Sequence, residues 1–252
     1  MGIAAMKIVL LGTGGYHPSE RRHTPCMLIP ELGVMLDAGT AMFRAPQYLR
    51  LHELDIYLTH AHLDHIFGLT FLLGVYQVYP LKRVCVHGTP ATLEALAEHL
   101  FAPAVFPVDP PFAMQPLAGD EERLRGGGRL TYFPLEHPGG SIGYRLDWPG
   151  HSMAYVTDTT ATPDAAYVER IRGVDLLIHE CYFPDEYAEF AWKTGHSFTT
   201  PVAELARQAG VRRLVLVHLN PTATADDPIG LDVARAIFPE TTLGEDRMEV
   251  EF

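Results

Sequence analysis

The sequence predicts an α/β fold, specifically a four-layer αβ/βα sandwich in which two sheets lie face to face with helices outside. Three observations carry this prediction. Segments typical of strands and of helices alternate along the chain, the second half repeats the layout of the first, and side chains that can bind metals follow one strand after another. No stretch has the composition of a linker, so we expect one domain over residues 1–252.

The first predicted strand is the apolar run 7–11, which a Gly-Thr-Gly-Gly turn ends. Glycines after a strand can also form a dinucleotide-binding loop. That loop opens a helix, however, and Pro18 and Pro25 interrupt any helix here. The next strand-then-glycine segment contains Asp37, which is expected either to support a ligand site from behind or to make a turn.

The rest of the first half alternates strands and helices. After strand 55–59, residues 66–79 are apolar on most sides, which is typical of a buried helix. Strand 83–87 precedes helix 89–101, which opens with a capping threonine followed by proline. Residues 102–128 are rich in proline and glycine and predict a long loop.

The second half has the same alternation of strands and helices. Apolar runs predict six strands: 129–133, 141–148, 152–157, 174–179, 214–219 and 248–252. Three helices are predicted between them: 162–172, 200–210 and 230–238. Proline near the start of the second helix and Gly210 at its end are the usual boundary residues.

The composition limits the possible partners and the cellular location. The formal net charge is −12, which argues against long nucleic acids as partners, because phosphate binding depends on clustered Lys and Arg. The N-terminus lacks the features of a signal peptide, and no apolar run approaches the ~20 residues that cross a bilayer. The three cysteines are far apart and odd in number, so we expect a cytoplasmic protein without a disulfide framework.

Three imidazoles and a carboxylate lie within six residues, where strand 55–59 runs out into a loop: His60, His62, Asp64 and His65. These donors suit Zn²⁺, Mn²⁺ or Fe. Alternate residues of an extended segment point the same way, so His60 and His62 can bind one ion, and the other two follow where the chain turns. A single histidine is usually structural or exposed, but four such side chains in six positions predict a metal site.

Three further ligand candidates follow strands of the second half: His137, Asp158 and His218. Each alone would be an ordinary loop or buried residue. Their recurrence at strand ends predicts that they complete a site for two divalent ions, with Asp158 as the bridging carboxylate. We assign His60, His62, His137 and Asp158 to the first ion, and Asp64, His65, Asp158 and His218 to the second.

Two ions about 3.5–4 Å apart make a bridging hydroxide at neutral pH and polarise an ester or phosphoryl oxygen. Water is therefore the predicted nucleophile, and Asp64 counts among both the ligands and the catalytic residues. His196 precedes a helix cap, and an unperturbed imidazole pKa of ~6.5 suits a general acid. Glu180, at a strand end, is expected to orient it. The alternative is that His196 is an ordinary polar loop residue.

Together these segments resemble the ribonuclease Z-like branch of the metallo-β-lactamase superfamily, and the resemblance covers nearly the whole chain. It rests on the H-x-H-x-D-H motif, on His137 followed by Ser141, on Asp158-Thr159, on His179-Glu180 and on Gly195-His196-Ser197. The last segment is similar to the catalytic-acid motif of the phosphodiesterase branch. The resemblance therefore implies a metal-dependent hydrolase, with zinc as the first choice and Mn or Fe as alternatives, and it favours a catalytic His196.

One departure from that branch bears on the substrate. RNA-processing members usually carry a long tRNA-gripping arm between the equivalents of His137 and Asp158, and here the interval is 21 residues. With the negative charge, this implies small cyclic or nucleotide-type phosphodiesters. The alternatives are ribonuclease Z-like RNA processing, hydrolysis of sulfate esters, lactones or thioesters, and a metal-binding carrier or sensor without activity. A homodimer is common for such folds.

Overall fold

Two seven-stranded sheets organise the chain in the computed structural model, which describes residues 6–252. Contacts divide these residues into two compact units. The first unit contains residues 6–119 and 246–251, and the second contains residues 120–245 and Phe252. Mixed sheets together with helices confirm the predicted α/β class, and the single domain over 1–252 stays a prediction.

The first unit holds one sheet of seven strands. These are β1 (Lys7–Gly12), β2 (Cys26–Ile29), β3 (Val34–Ala38), β4 (Glu53–Tyr57), β5 (Arg83–Gly88), β6 (Ala113–Pro116) and β14 (Met248–Glu251). Their spatial order is β14-β1-β2-β3-β4-β5-β6. The pairs from β14 to β3 are antiparallel, whereas those from β3 to β6 are parallel. β2 and β6 were not predicted, because β2 has only four residues and β6 lies in the proline-rich segment expected to be a loop.

The helices of the first unit are α1 (Leu63–Ile66), α2 (Leu72–Val78) and α3 (Pro90–Ala95). The predicted continuous helix over 66–79 is wrong, because a 3₁₀ segment, Phe67–Phe71, separates α1 from α2. Gly68 lies in that segment, and a Cβ there would meet the carbonyl oxygen of Gly39. The backbone of Gly68 therefore packs directly against that of Gly39, and the chain is not a regular α-helix at this point. The threonine cap of α3 is confirmed, since Thr89 accepts a hydrogen bond from the amide of Thr92.

The second unit repeats the arrangement of the first. Its strands are β7 (Glu121–Leu124), β8 (Gly128–Leu135), β9 (Ser141–Trp148), β10 (His151–Val156), β11 (Leu176–Glu180), β12 (Leu214–Val217) and β13 (Thr241–Leu243). Their order is β13-β12-β11-β10-β9-β8-β7. The pairs from β7 to β10 are antiparallel and those from β10 to β13 are parallel. The predicted repetition of layout between the two halves is therefore confirmed.

The helices of the second unit are α4 (Ala188–Thr194), α5 (Thr199–Ala209) and α6 (Leu231–Ile237). α5 ends at Gly210, whose φ of 62° is the left-handed cap that the sequence predicts. The predicted helix over 162–172 is wrong: only a 3₁₀ turn, Ala166–Glu169, forms there. This one turn buries Tyr167 and Val168 in the core of the unit.

The carboxyl ends of parallel neighbours meet at one edge of each sheet, which is where α/β proteins usually place reactive side chains. In the second unit, adjacent strands β10, β11 and β12 lead into Asp158, Glu180 and His218. In the first unit, β4 leads into the segment from His60 to His65. Among residues 6–252, no helix has the length and apolar character needed to cross a bilayer.

Candidate metal centre

In the first unit the histidine segment folds into a compact group of rings. The chain leaves β4, and His62 then occupies the position just before α1, which carries Asp64 and His65. The His60 ring centroid lies 4.4 Å from that of His62 and 4.3 Å from that of His65. His60 and His65 are buried, whereas His62 is exposed. The structure therefore brings the three predicted imidazoles of this unit together.

Asp37 supports this group from behind, which decides between the two roles that the sequence left open. Its fully buried carboxylate accepts hydrogen bonds from the amide of Thr59 at 2.8 Å and from Nδ1 of His65 at 2.7 Å. The φ of Asp37 is 55°, a left-handed conformation that costs a non-glycine residue about 1–2 kcal/mol. Strain of this kind is kept where the surroundings require one side-chain position.

Two of these imidazoles are held through Nδ1. Nδ1 of His65 is held by Asp37, and Nδ1 of His60 lies 3.0 Å from Oγ1 of Thr59. Metal-binding histidines usually use their other ring nitrogen in this way, because it fixes the tautomer and the ring orientation. Nε2 of His65 lies 3.4 Å from Oδ2 of Asp64. Two donors about 2.1 Å from one ion at a tetrahedral angle are also about 3.4 Å apart, so this pair has the spacing of two ligands.

Gly39 gives a direct test of whether the position of Asp64 matters for metal binding. A Cβ at this position would meet the carbonyl oxygen of Asp64 and, at 2.6 Å, that of Pro25. We expect Gly39→Ala to weaken zinc binding by roughly 10–100-fold, the loss seen when the support of a ligand is disturbed. Competition with a chelating dye measures this. Gly74→Ala is the matched control, because its Cβ meets nothing within 4 Å; equal affinities in the two variants would contradict the prediction.

In the second unit Asp158 faces two histidines, one with each carboxylate oxygen. Oδ1 lies 3.4 Å from Nε2 of His137, and Oδ2 lies 3.4 Å from Nε2 of His218. Both spacings again match two ligands of one ion. The side chains of all three residues are at most 4% exposed. A carboxylate with one histidine at each oxygen has the form expected of a bridging ligand.

The backbone at these positions is strained in the same way as at Asp37. Asp158 has a φ of 52° and His218 a φ of 56°. Each residue follows the end of a parallel strand, so its left-handed backbone turn lies at the edge of the sheet. Nδ1 of His137 lies 3.0 Å from the carbonyl oxygen of Gly195, which leaves Nε2 toward Asp158. The ring orientation is that of His65 in the first unit.

His196 and Glu180 form a pair beside these ligands. Nδ1 of His196 lies 3.2 Å from Oε2 of Glu180, whose side chain is fully buried. The same carboxylate accepts hydrogen bonds from the amides of Thr159 at 2.6 Å and Ser197 at 3.2 Å. One donor atom from each of Asp158, His196 and His218 lies within 4.8 Å of the others. The structure therefore brings the two predicted acid–base residues next to the ligand candidates of this unit.

Neighbouring reactive side chains have structural environments instead. His179 is completely buried, its Nε2 lies 3.0 Å from the hydroxyl of Tyr167, and burial lowers its pKa. All three cysteines are free thiols in the interior. Burial raises the pKa of the Cys181 thiol well above its ordinary value, which disfavours the thiolate that a nucleophile needs. These contacts agree with the prediction that water, and no cysteine, is the attacking group.

Two contributors to this region were not found in the sequence. Thr59 links Asp37 to His60 through its amide and hydroxyl, and only its place before His60 could have suggested a role. Tyr182 stacks on His196 with ring centroids 4.6 Å apart and an interplanar angle of 17°. It lies in a loop without periodicity, so the sequence carried no signal for it.

Each unit thus supplies imidazole nitrogens and carboxylate oxygens whose orientation and spacing suit a divalent transition metal. The first unit contributes His60, His62, Asp64 and His65, and the second contributes His137, Asp158 and His218. No thiolate belongs to either set. The donor chemistry fits zinc and equally Mn or Fe, as the sequence predicts.

Comparisons with known proteins place the chain in a family. Residues 33–219 match the model of the beta-lactamase superfamily domain. A ribonuclease Z of Synechococcus sp. (strain CC9605) is 30% identical, and the alignment covers 98% of this chain and 98% of that protein. That alignment extends over 314 positions, at least 62 more than the 252 residues of this chain.

Solved structures agree with the fold. The metallo-beta-lactamase fold protein YhfI from Bacillus subtilis superposes with a TM-score of 0.83 at 20% identity, over 99% of this chain and 100% of that one. A diphosphatase of the PhnP family has a TM-score of 0.74 at 21% identity, over 99% and 98% of the two chains. The predicted metallo-β-lactamase fold is therefore confirmed. The chain belongs to the beta-lactamase superfamily domain family and is a ribonuclease Z-like hydrolase of the metallo-β-lactamase fold.

Proposed function

We propose that the protein is a metal-dependent phosphodiesterase that acts on small cyclic or nucleotide-type phosphodiesters. Two divalent ions, zinc first among them, would be held by the ligand sets predicted from the sequence. The first set is His60, His62, His137 and Asp158, and the second is Asp64, His65, Asp158 and His218. When bound, such a pair supplies an activated water and neutralises charge on the phosphoryl group.

The observation that carries this proposal is the His196–Glu180 pair next to Asp158 and His218. Glu180 is fixed by two backbone amides and in turn holds Nδ1 of His196. Nε2 is then the ring nitrogen from which a proton can pass to a departing oxygen. Esters with alkoxide leaving groups need this proton, so the pair favours phosphodiester hydrolysis.

The short connection between His137 and Asp158 supports a small substrate. Its 21 residues are taken up by β9 and β10 and by the tight turns around them, so no arm extends from it. The net charge of −12 also disfavours a polyanionic substrate.

RNA processing is the second candidate function, and the ribonuclease Z relatives are the observation that favours it. Hydrolysis of sulfate esters or lactones on the same ligands stays a weaker alternative. A thioesterase and a carrier or sensor are weaker still, because neither requires the His196–Glu180 pair. A cytoplasmic location and a homodimer stay predictions.

Assays of the zinc-loaded protein on a panel of substrates separate these functions. The panel contains bis-p-nitrophenyl phosphate, adenosine 3′,5′-cyclic phosphate, p-nitrophenyl sulfate, a lactone and an RNA hairpin with a 3′ trailer. We expect kcat/KM to be highest for the two small phosphodiesters. Preferred cleavage of the RNA would support the second candidate. Two bound metal equivalents without cleavage of any substrate would support a carrier.

A further inference from the structure

A cleft of about 660 Å³ lies within the second unit, between two loops that follow neighbouring strands. One loop, residues 182–187, follows β11, and the other, residues 220–230, follows β12 just after His218. Tyr182 belongs to the wall of the cleft and also stacks on His196. The cleft therefore adjoins His196 across the ring of Tyr182. Its volume lies within the range of ordinary small-molecule sites.

Aromatic rings line one side of this cleft. Phe183 lies edge-on to Tyr182 with centroids 4.8 Å apart, and Tyr187 is 6.3 Å from Phe183. Tyr187 is 45% exposed and lines the cleft, so it offers surface to a ligand. Aromatic side chains arranged in this way bind flat rings, and nucleobases in particular, by stacking.

The side chains of the lining that carry a charge at neutral pH are both acidic: Glu186 and Asp227. Asp227 is already used, because its carboxylate accepts hydrogen bonds from the amides of Gly230 and Leu231 at the start of α6. Glu186 is exposed at the cleft and remains as an acceptor for a ligand. An acidic lining repels a phosphate group, whereas it attracts a neutral ring that carries N–H donors.

We propose that this cleft binds the nucleobase of a single-nucleotide phosphodiester, with the ring against Phe183 and Tyr187 and an exocyclic amino group on Glu186. This inference rests on the proposed phosphodiesterase function and narrows its substrate class. The scissile phosphate belongs beside His196, and a second phosphate is disfavoured in the acidic cleft. A mononucleotide ester is therefore preferred over an RNA chain.

Three diesters that share the p-nitrophenolate leaving group test the proposal: the p-nitrophenyl esters of adenosine 5′-phosphate, thymidine 5′-phosphate and ethyl phosphate. For the wild-type protein we expect kcat/KM to be at least tenfold higher for the adenosine ester than for the ethyl ester. Tyr187→Ala should reduce this ratio about tenfold, the size of a lost base–aromatic stack. Glu186→Gln should lower kcat/KM more for the adenosine ester than for the thymidine ester, because thymine has no exocyclic amino group.

Phe43→Ala is the control, since Phe43 is an exposed aromatic residue of the first unit that is absent from the lining of the cleft, and it should leave the ratio unchanged. The nucleobase proposal is overturned if the wild-type ratio of the two kcat/KM values is near one, or if Tyr187→Ala leaves that ratio unchanged. Hydrolysis of the ethyl ester would still support the phosphodiesterase function in either case. Calorimetry with adenosine alone decides the matter even if no ester is cleaved: binding that Tyr187→Ala abolishes supports the proposal, and absence of binding overturns it. Tighter binding of an oligoribonucleotide than of adenosine 5′-phosphate also overturns it.

Discussion

We expect His196→Ala to slow the hydrolysis of phosphodiesters with alkoxide leaving groups by about 10²–10⁴-fold, the range that a positioned general acid contributes. Nδ1 of His196 is held at 3.2 Å by the buried carboxylate of Glu180, so its Nε2 is the atom available to give a proton. p-Nitrophenolate departs without a proton. The loss for bis-p-nitrophenyl phosphate should therefore be much smaller than the loss for adenosine 3′,5′-cyclic phosphate.

The measurement is kcat for both esters, together with the metal content of each preparation. Metal content is needed because His196 lies close to Asp158 and His218, so its removal could also loosen an ion. His99→Ala is the control, since His99 is an exposed histidine of the first unit that contacts none of the ligands. An equal loss for both leaving groups at full metal content would show that His196 is not the general acid.

The positions of the ligand candidates were predictable because they depend on strand ends rather than on details of packing. Apolar runs of β10, β11 and β12 are visible in the sequence, and parallel neighbours bring their carboxyl ends to one edge. The positions of Asp158, Glu180 and His218 can then be read from the sequence, because each residue lies at or just after the end of one of these apolar runs. The repetition of this layout in the two halves was visible for the same reason.

Other features could not be predicted because they depend on contacts between distant residues. The role of Asp37 is set by Thr59 and His65, which lie 22 and 28 positions later in the chain. The break between α1 and α2 depends on the approach of Gly68 to the backbone of Gly39. β6 was hidden because its four residues are largely exposed and end in proline, so they lack the apolar alternation of a strand.

A loss of metal and activity is also expected when the central carboxylate of the second unit becomes an amide. In Asp158→Asn one oxygen is replaced by an NH₂ group, which cannot act as a ligand. We expect the protein to retain at most one of two metal equivalents and kcat/KM to fall by roughly a thousandfold. The latter corresponds to several kcal/mol of transition-state stabilisation. Elemental analysis and kinetics on the small diesters measure both quantities.

Asparagine is chosen because the φ of 52° at this position is left-handed, and asparagine tolerates that conformation better than alanine. Asp147→Asn is the matched control, since the carboxylate of Asp147 pairs with Arg145 on the partly exposed face of β9. It should keep both metal equivalents. Two bound equivalents and full activity in Asp158→Asn would contradict the bridging role.

The unfolding free energy separates a metal ligand from a structural ion pair at Asp158. If Asp158 served mainly to pair with His137 and His218, the amide would destabilise the metal-free protein, because buried charge partners would be left behind. If it serves to hold metal, the metal-free variant should be about as stable as the metal-free wild type. Added zinc stabilises a protein that binds it, and this gain in unfolding free energy grows with the logarithm of the zinc concentration divided by Kd. In Asp158→Asn we then expect this gain to be lost. Denaturant titrations with and without zinc therefore distinguish the two roles without any assay of activity.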